Sequence, residues 1–299
     1  MNKPKILALS GPSSTGKSKL AVEIAKKFNG EIISADSRYV YREMNIATAK
    51  PTKKEMAGIP HYLIDICDVT EDYTVGLFVK DADELIKDIS NRGKLPVVTG
   101  GTGLYFRSLK GTFDIPEVPA DKDFREEAEN IPNEILYEEL KIKNPVLAEK
   151  IHPNNKRKIV RALEIARSGA EMKSKECPYE ILWLGLDVQD RQFLYDRADK
   201  RVDIMLENGL LVEGKYLFDK YGENNILLNT IGLKELYPVL KDEIELEIAL
   251  EEIKKNTRHY IKRQISWFKG ENSIIPIYID IDDIESKACL LYTSDAADE

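Results

Sequence analysis

Two hydrophobic periods divide the chain. Short apolar runs, Ile6-Leu7-Ala8-Leu9, Glu31-Ile32-Ile33-Ser34-Ala35, Leu95-Pro96-Val97-Val98 and Ile181 to Leu186, read as buried strands. Between and after them, apolar residues recur at helix spacing. Leu20, Ala21, Ile24, Ala25 and Phe28 mark one helix, and Val79 to Ile89 another. A third is long: Leu246, Ala249, Leu250, Ile253, Thr257, Tyr260, Ile261, Gln264 and Phe268 keep one register. Strands alternating with helices predict an α/β fold with a mainly parallel sheet flanked by helices. From Gly111 the strand signal disappears. Residues 119 to 170 are helical in pattern, most clearly over Glu134–Lys141 and Pro153–Arg167. The expected organisation is a core of residues 1–111 and 180–285, interrupted by an all-helical insertion over 112–179. Residues 286–299 continue no pattern and are expected to be a disordered or extraneous tail.

Between the first strand and the first helix lies Gly11-Pro12-Ser13-Ser14-Thr15-Gly16-Lys17-Ser18, of the form GxxxxGK(S/T). Placed between a strand and a helix, this is a phosphate-binding loop, and it makes the predicted core P-loop NTPase-like. Its glycines let backbone N–H groups wrap a phosphate, and the helix N-terminus adds partial positive charge. Lys17 would reach phosphate oxygens, and the Ser18 hydroxyl would ligate Mg²⁺. The motif implies a diphosphate or triphosphate without saying what is done with it. Asp36 ends the second strand run, on the ligand side of an open α/β sheet or, more blandly, as a cap for the next segment. Thr102, in Thr99-Gly100-Gly101-Thr102-Gly103 after the third run, faces the phosphate or sits in a tight turn.

Composition adds limits. The 299 residues are 42% hydrophobic and 32% charged, which fits a globular protein, and the apolar run before the loop is too short for a leader or membrane span. A cytoplasmic monomer that does not engage membranes is expected. Three cysteines and three histidines show no disulfide or zinc spacing. The net charge of −8 argues against nucleic acid, yet the basic residues are bunched. One bunch is Lys156-Arg157-Lys158 with Arg161, and another is Lys254, Lys255, Arg258, Lys262, Arg263 and Lys269. Either is an ordinary solvated helix face on charge alone.

An ordered series of further motifs resembles the tRNA dimethylallyltransferase (tRNA isopentenyltransferase) family. After the phosphate loop come Ile33-Ser34-Ala35-Asp36-Ser37 with Val40-Tyr41, Thr48-Ala49-Lys50-Pro51, Gly58-Ile59-Pro60-His61 with Leu63-Ile64-Asp65, and Gly100 to Tyr105. The insertion carries Ile151-His152-Pro153-Asn154 and Arg161-Ala162-Leu163-Glu164. The last third carries Arg197, Arg201-Val202-Asp203, Ile231-Gly232 with Lys234-Glu235, and Thr257-Arg258 through Gln264 to Trp267-Phe268. The chain departs from the family pattern at Tyr39, usually Gln, at Arg157-Lys158, usually Gln-Arg, and at Leu233, usually Tyr.

The resemblance implies transfer of a dimethylallyl group from dimethylallyl diphosphate to N6 of adenine 37, beside the tRNA anticodon. Lys17, Asp36, Thr102 and Arg201 become the catalytic candidates, and Mg²⁺ on Ser18 the cofactor. Contacts to the tRNA anticodon stem-loop would come from Asp36, Ser37, Arg38, Tyr39 and Thr102, and in the insertion from Arg125, Arg157, Lys158 and Arg161. Tyr39 would stack on a base where the family has a polar contact. ATP binding is a further expectation. A nucleoside or nucleotide kinase would share the loop but need an acidic metal partner, for which Asp65 is the candidate. An adenylate isopentenyltransferase acting on free nucleotide, or a non-catalytic nucleotide-dependent module, are the remaining alternatives.

Overall fold

The structure, a computed structural model, describes residues 3–111, 118–170 and 176–297. The chain divides into two compact units, Met1–Lys110 with Cys177–Glu299, and Gly111–Glu176.

The first unit is built on a sheet. β1 (Lys5–Ser10), β2 (Gly30–Ser34), β3 (His61–Tyr62), β4 (Leu95–Gly100), β5 (Glu180–Asp187) and β6 (Ile275–Tyr278) lie in the order β3-β2-β4-β1-β5-β6. Every described pairing is parallel. Parallel strands need crossovers that cover both faces, so the strands read as continuous apolar runs. Alternation sorts β1 between the layers. Leu7 and Leu9 pack with Leu20, Ile24, Val97 and Leu184 under the Lys17–Lys27 helix. Ile6 and Ala8 pack with Phe78, Ile86, Val98 and Trp183 under the Val75–Asn91 helix.

A helical layer follows in sequence. The Arg191–Glu207, Leu210–Tyr221 and Leu246–Lys269 helices share a core with Val40, Met44 and Cys67. Glu213 joins this layer to the segment after β2 by accepting the backbone N–H groups of Asn45, Ile46 and Ala47.

The strands expected from the sequence are present. Two others, β3 and β6, were not expected. β3 has two residues, and β6 shows no buried run because Ile275 and Pro276 are exposed. Within residues 286–299, expected to be a disordered or extraneous tail, the Ile284–Ala297 helix occupies most of the segment, with Ala288 buried and the Tyr292 ring 4.2 Å from Phe28.

Among its described residues the second unit contains helices joined by turns and no strand. Its main helices are Lys122–Glu129, Asn133–Lys143 and Lys156–Ser168. They bury Phe124, Leu136, Leu140, Ile159 and Leu163 in a core of their own.

Candidate active site

β1 runs directly into the phosphate loop. Gly11 has φ 148°, and a Cβ there would stand 2.4 Å from the Leu186 carbonyl oxygen, so only glycine turns the chain this close to β5. Gly16, left-handed with φ 88°, opens the Lys17–Lys27 helix. The first N–H groups of that helix have no intrahelical partner and point out of its N-terminus, where anions bind. The loop braces itself: the Thr15 hydroxyl and the Lys17 amine donate to the Pro12 carbonyl at 2.8 and 2.6 Å. Arg197 Nε donates to the Ser14 carbonyl at 2.9 Å.

The loop forms one wall of a cavity of about 380 Å³ at the C-terminal ends of β1, β2 and β4. Lys17, Ser18, Asp36, Tyr39, Arg197 and Arg201 line it. Burial pushes the Lys17 amine down to about 7; Asp36 opposes this and Arg201 adds to it. A polyanion bound here would restore the Lys17 charge. One carboxylate oxygen of Asp36 accepts the Arg38 N–H at 2.9 Å, a local turn of the kind the blander reading expects. Its other oxygen has no protein partner among the described residues. Tyr39 and Arg201 both donate to the Ala49 carbonyl, at 3.0 and 3.2 Å. Burial, assisted by Asp36, pushes the Tyr39 hydroxyl up to about 12, so it stays a neutral donor.

Three hydroxyls bear on a metal. Ser14 Oγ, Ser34 Oγ and Thr99 Oγ1 are buried without a hydrogen-bond partner, and their residues line the same cavity as Ser18. Buried polar atoms are seldom left unpaired in a protein without a ligand or water to meet them. Oxygen donors suit a hard cation such as Mg²⁺. Among the described residues no group of His, Cys, Asp and Glu could hold a metal alone.

The remaining candidates sit differently. Thr102 does not line the cavity; its hydroxyl oxygen accepts the Ser37 N–H at 3.1 Å. Arg38 is turned to the Asn229 carbonyl at 3.1 Å. In the helical unit, Glu164 is buried and takes hydrogen bonds from Arg125 Nε at 2.7 Å, Arg161 Nη1 at 2.8 Å and the Asp121 N–H at 3.1 Å. Arg161 also donates to the Val118 carbonyl. Burial pushes the Glu164 carboxyl up, but these donors outweigh it and hold the group below its ordinary range. Arg125 and Arg161 are thus tied to Glu164, whereas the Arg157 and Lys158 side chains are exposed with no partner among the described residues.

Sequence reasoning missed Arg197, Glu55 and His61 as cavity residues. The spacing of Arg197 and Arg201 on one helix face was the available signal for the first. Asp65, the acidic metal partner a kinase would need, is held by the buried Lys50 amine at 2.5 Å. No described helix is long and apolar enough to cross a membrane.

A phosphate loop at the C-terminal edge of an open parallel sheet, with a carboxylate across a shared cavity, defines a phosphate-loop α/β protein of the group-transfer kind. The IPP transferase family profile matches residues 39–271. The tRNA dimethylallyltransferase of Thermoanaerobacter sp. strain X514 is 45% identical over 293 residues, 92% of each chain. That of Streptococcus agalactiae strain NEM316 is 41% identical over 290 residues, 96% of each. The crystal structure of the full-length tRNA isopentenylpyrophosphate transferase from Bacillus halodurans matches with TM-score 0.75 at 39% identity, over 98% of this chain and 96% of that one. A eukaryotic dimethylallyltransferase acting on tRNA matches with TM-score 0.83 at 30% identity, over 98% of this chain and 79% of that one. The chain belongs to the IPP transferase family.

Proposed function

We propose that this protein transfers the dimethylallyl group of dimethylallyl diphosphate to N6 of adenine 37 in tRNA. The observation that carries the reading is one cavity lined by both Lys17 of the phosphate loop and the Asp36 carboxylate. The C1–O bond of the donor breaks, a bond forms between C1 and N6, diphosphate departs, and N6 loses a proton. Negative charge grows on the diphosphate. The helix N-terminal N–H groups, Lys17, Arg197 and Arg201 face that charge, and groups aimed where charge develops lower the barrier most. Mg²⁺ would be held by the Ser18 hydroxyl together with the donor phosphates. When bound, it neutralises the leaving group.

The N6 lone pair is conjugated into the ring, so the amine is a weak nucleophile. The unpartnered Asp36 oxygen orients it and accepts its proton, an effect worth roughly 10²–10⁴-fold. Adenine 37 must leave the anticodon-loop stack to enter, at a cost of a few kcal/mol. Exposed Arg157 and Lys158 would contact tRNA phosphates, which offsets the acidic net charge locally.

Incubation with dimethylallyl diphosphate, Mg²⁺ and unmodified tRNA, followed by nucleoside mass spectrometry, tests the proposal. Prenylated adenosine is expected. Phosphoryl transfer from ATP to a nucleoside without prenylation would overturn it, and prenylated AMP without prenylated tRNA would point to the free-nucleotide enzyme.

A further inference from the structure

Gln264 sits at a seam that no local pattern reveals. It lies on the Leu246–Lys269 helix, is 4% exposed, and touches two loops at once. Its Oε1 accepts the Ser13 N–H of the phosphate loop at 2.9 Å. Its Nε2 donates to the Gly101 carbonyl at 3.0 Å. The partners fix the amide orientation, because a backbone N–H only donates and a carbonyl only accepts. A primary amide of this length meets both. A carboxylate would set an acceptor against the Gly101 carbonyl, and an apolar side chain would leave both groups unpaired.

The glycine loop is shaped to receive this helix face. A Cβ on Gly101 would stand 2.4 Å from Gln264 Nε2, and one on Gly103 would stand 2.3 Å from the Trp267 ring, one turn further along. Neither glycine has positive φ, so close approach and not backbone conformation requires them. Beyond Gly101 the chain of hydrogen bonds continues. The Thr102 N–H donates to the Ala35 carbonyl at 3.2 Å, and Thr102 Oγ1 accepts the Ser37 N–H. Ala35 and Ser37 flank Asp36.

We propose that Gln264 is a positioning residue for prenyl transfer. It locks the loop that cradles the donor diphosphate to the loop that seats Asp36, and so sets the distance between departing carbon and attacking nitrogen. This rests on the functional reading above. Gln264 need not touch either substrate. A displacement of about 1 Å from a remote change costs on the order of 10²-fold in rate when reacting atoms must be held in line.

The test uses the full chain carrying Gln264→Glu or Gln264→Met, with Lys17→Ala as control. Single-turnover transfer, donor affinity and tRNA affinity are measured at a temperature where circular dichroism shows each variant folded. The expected result is a fall in the transfer step of roughly 10–10²-fold, with donor and tRNA affinities changed far less. An unchanged rate in Gln264→Met, or a rate loss fully accounted for by lost donor affinity, overturns the proposal. Should Gln264→Met not fold, Gln264→Glu, which keeps the Ser13 bond, carries the same two outcomes. Failure of the functional reading is distinct: donor binding would then be indifferent to Lys17→Ala, and the positioning role would fall with it.

Discussion

Asp36→Asn separates chemistry from architecture. Asparagine has the same shape, and its Oδ1 can still accept the Arg38 N–H at 2.9 Å, so the turn after β2 survives. What disappears is the second, unpartnered oxygen with its charge and basicity. The loss of a general base of this kind lowers the rate roughly 10²–10⁴-fold, or about 2.7–5.4 kcal/mol of barrier. Asp36 also helps to keep the Lys17 amine charged, so a modest weakening of donor binding accompanies the main effect. The assay is single-turnover transfer from donor and tRNA bound in advance, with each affinity measured separately. The expected signature is a large fall in the chemical step beside near-normal tRNA affinity. A wild-type single-turnover rate would refute the argument and leave Asp36 as a turn residue.

Lys17→Ala and Ser18→Ala should weaken donor binding and slow transfer, with the melting temperature unchanged for exposed Ser18 and altered only slightly for Lys17, whose amine also braces the Pro12 carbonyl; calorimetry and thermal melts check both. Arg157→Ala with Lys158→Ala should flatten the salt dependence of tRNA binding by about 0.9 log unit per log salt for each phosphate the two side chains neutralise. Arg161→Ala should instead destabilise the helical unit by roughly 1.5–3 kcal/mol, since it removes a charged hydrogen bond from buried Glu164; limited proteolysis within that unit reads this out. Glu31 gives a pH signature. Hydrogen bonds from Arg92, then Lys94 and Tyr62, outweigh its burial and hold its carboxyl down at about 2, against an ordinary 4.5. The unfolded chain therefore takes up the proton first. The contribution is complete above about pH 4.5 and drains away as pH falls towards 2. Wild-type melting temperature should fall across that window, and Glu31→Gln should show a flatter curve.

What the sequence made legible follows from where the information is local. β1, β2, β4 and β5 are apolar runs buried on both faces, and such runs are visible in one dimension. The phosphate loop is contiguous, so its residues and geometry are read together. Gln264 fits the helical register of its neighbours and is buried like them, but its partners lie at Ser13 and Gly101. Nothing within a window of the helix announces them. Arg161 shows what a charge run leaves out. The run of cations drew attention outward to tRNA, while Glu164, one turn away, was the acid that claims Arg161 and Arg125. Charge clusters in sequence omit the buried counter-charge that folding supplies.

The site's precision rests on backbone more than on charge. β1 pairs Ser10 with Gly100, and β2 pairs Ser34 with Thr99, so three adjacent parallel strands end at nearly one level and release three loops together. Beyond the last β2–β4 pair the two chains stay stitched. The Ala35 N–H donates to the Thr99 carbonyl at 2.7 Å, and the Thr102 N–H returns to the Ala35 carbonyl. Gly100 permits this closeness: a Cβ there would lie 2.1 Å from the Ala35 carbonyl oxygen. Any side chain at position 100 would push apart the ends of β2 and β4, and with them Asp36 and the loop held by Gln264. A cationic loop and a carboxylate can be found on many folds. Here one glycine between two strands, a residue that carries no chemistry, lets the ends of β2 and β4 come this close, and Gln264 ties the phosphate loop to the same place.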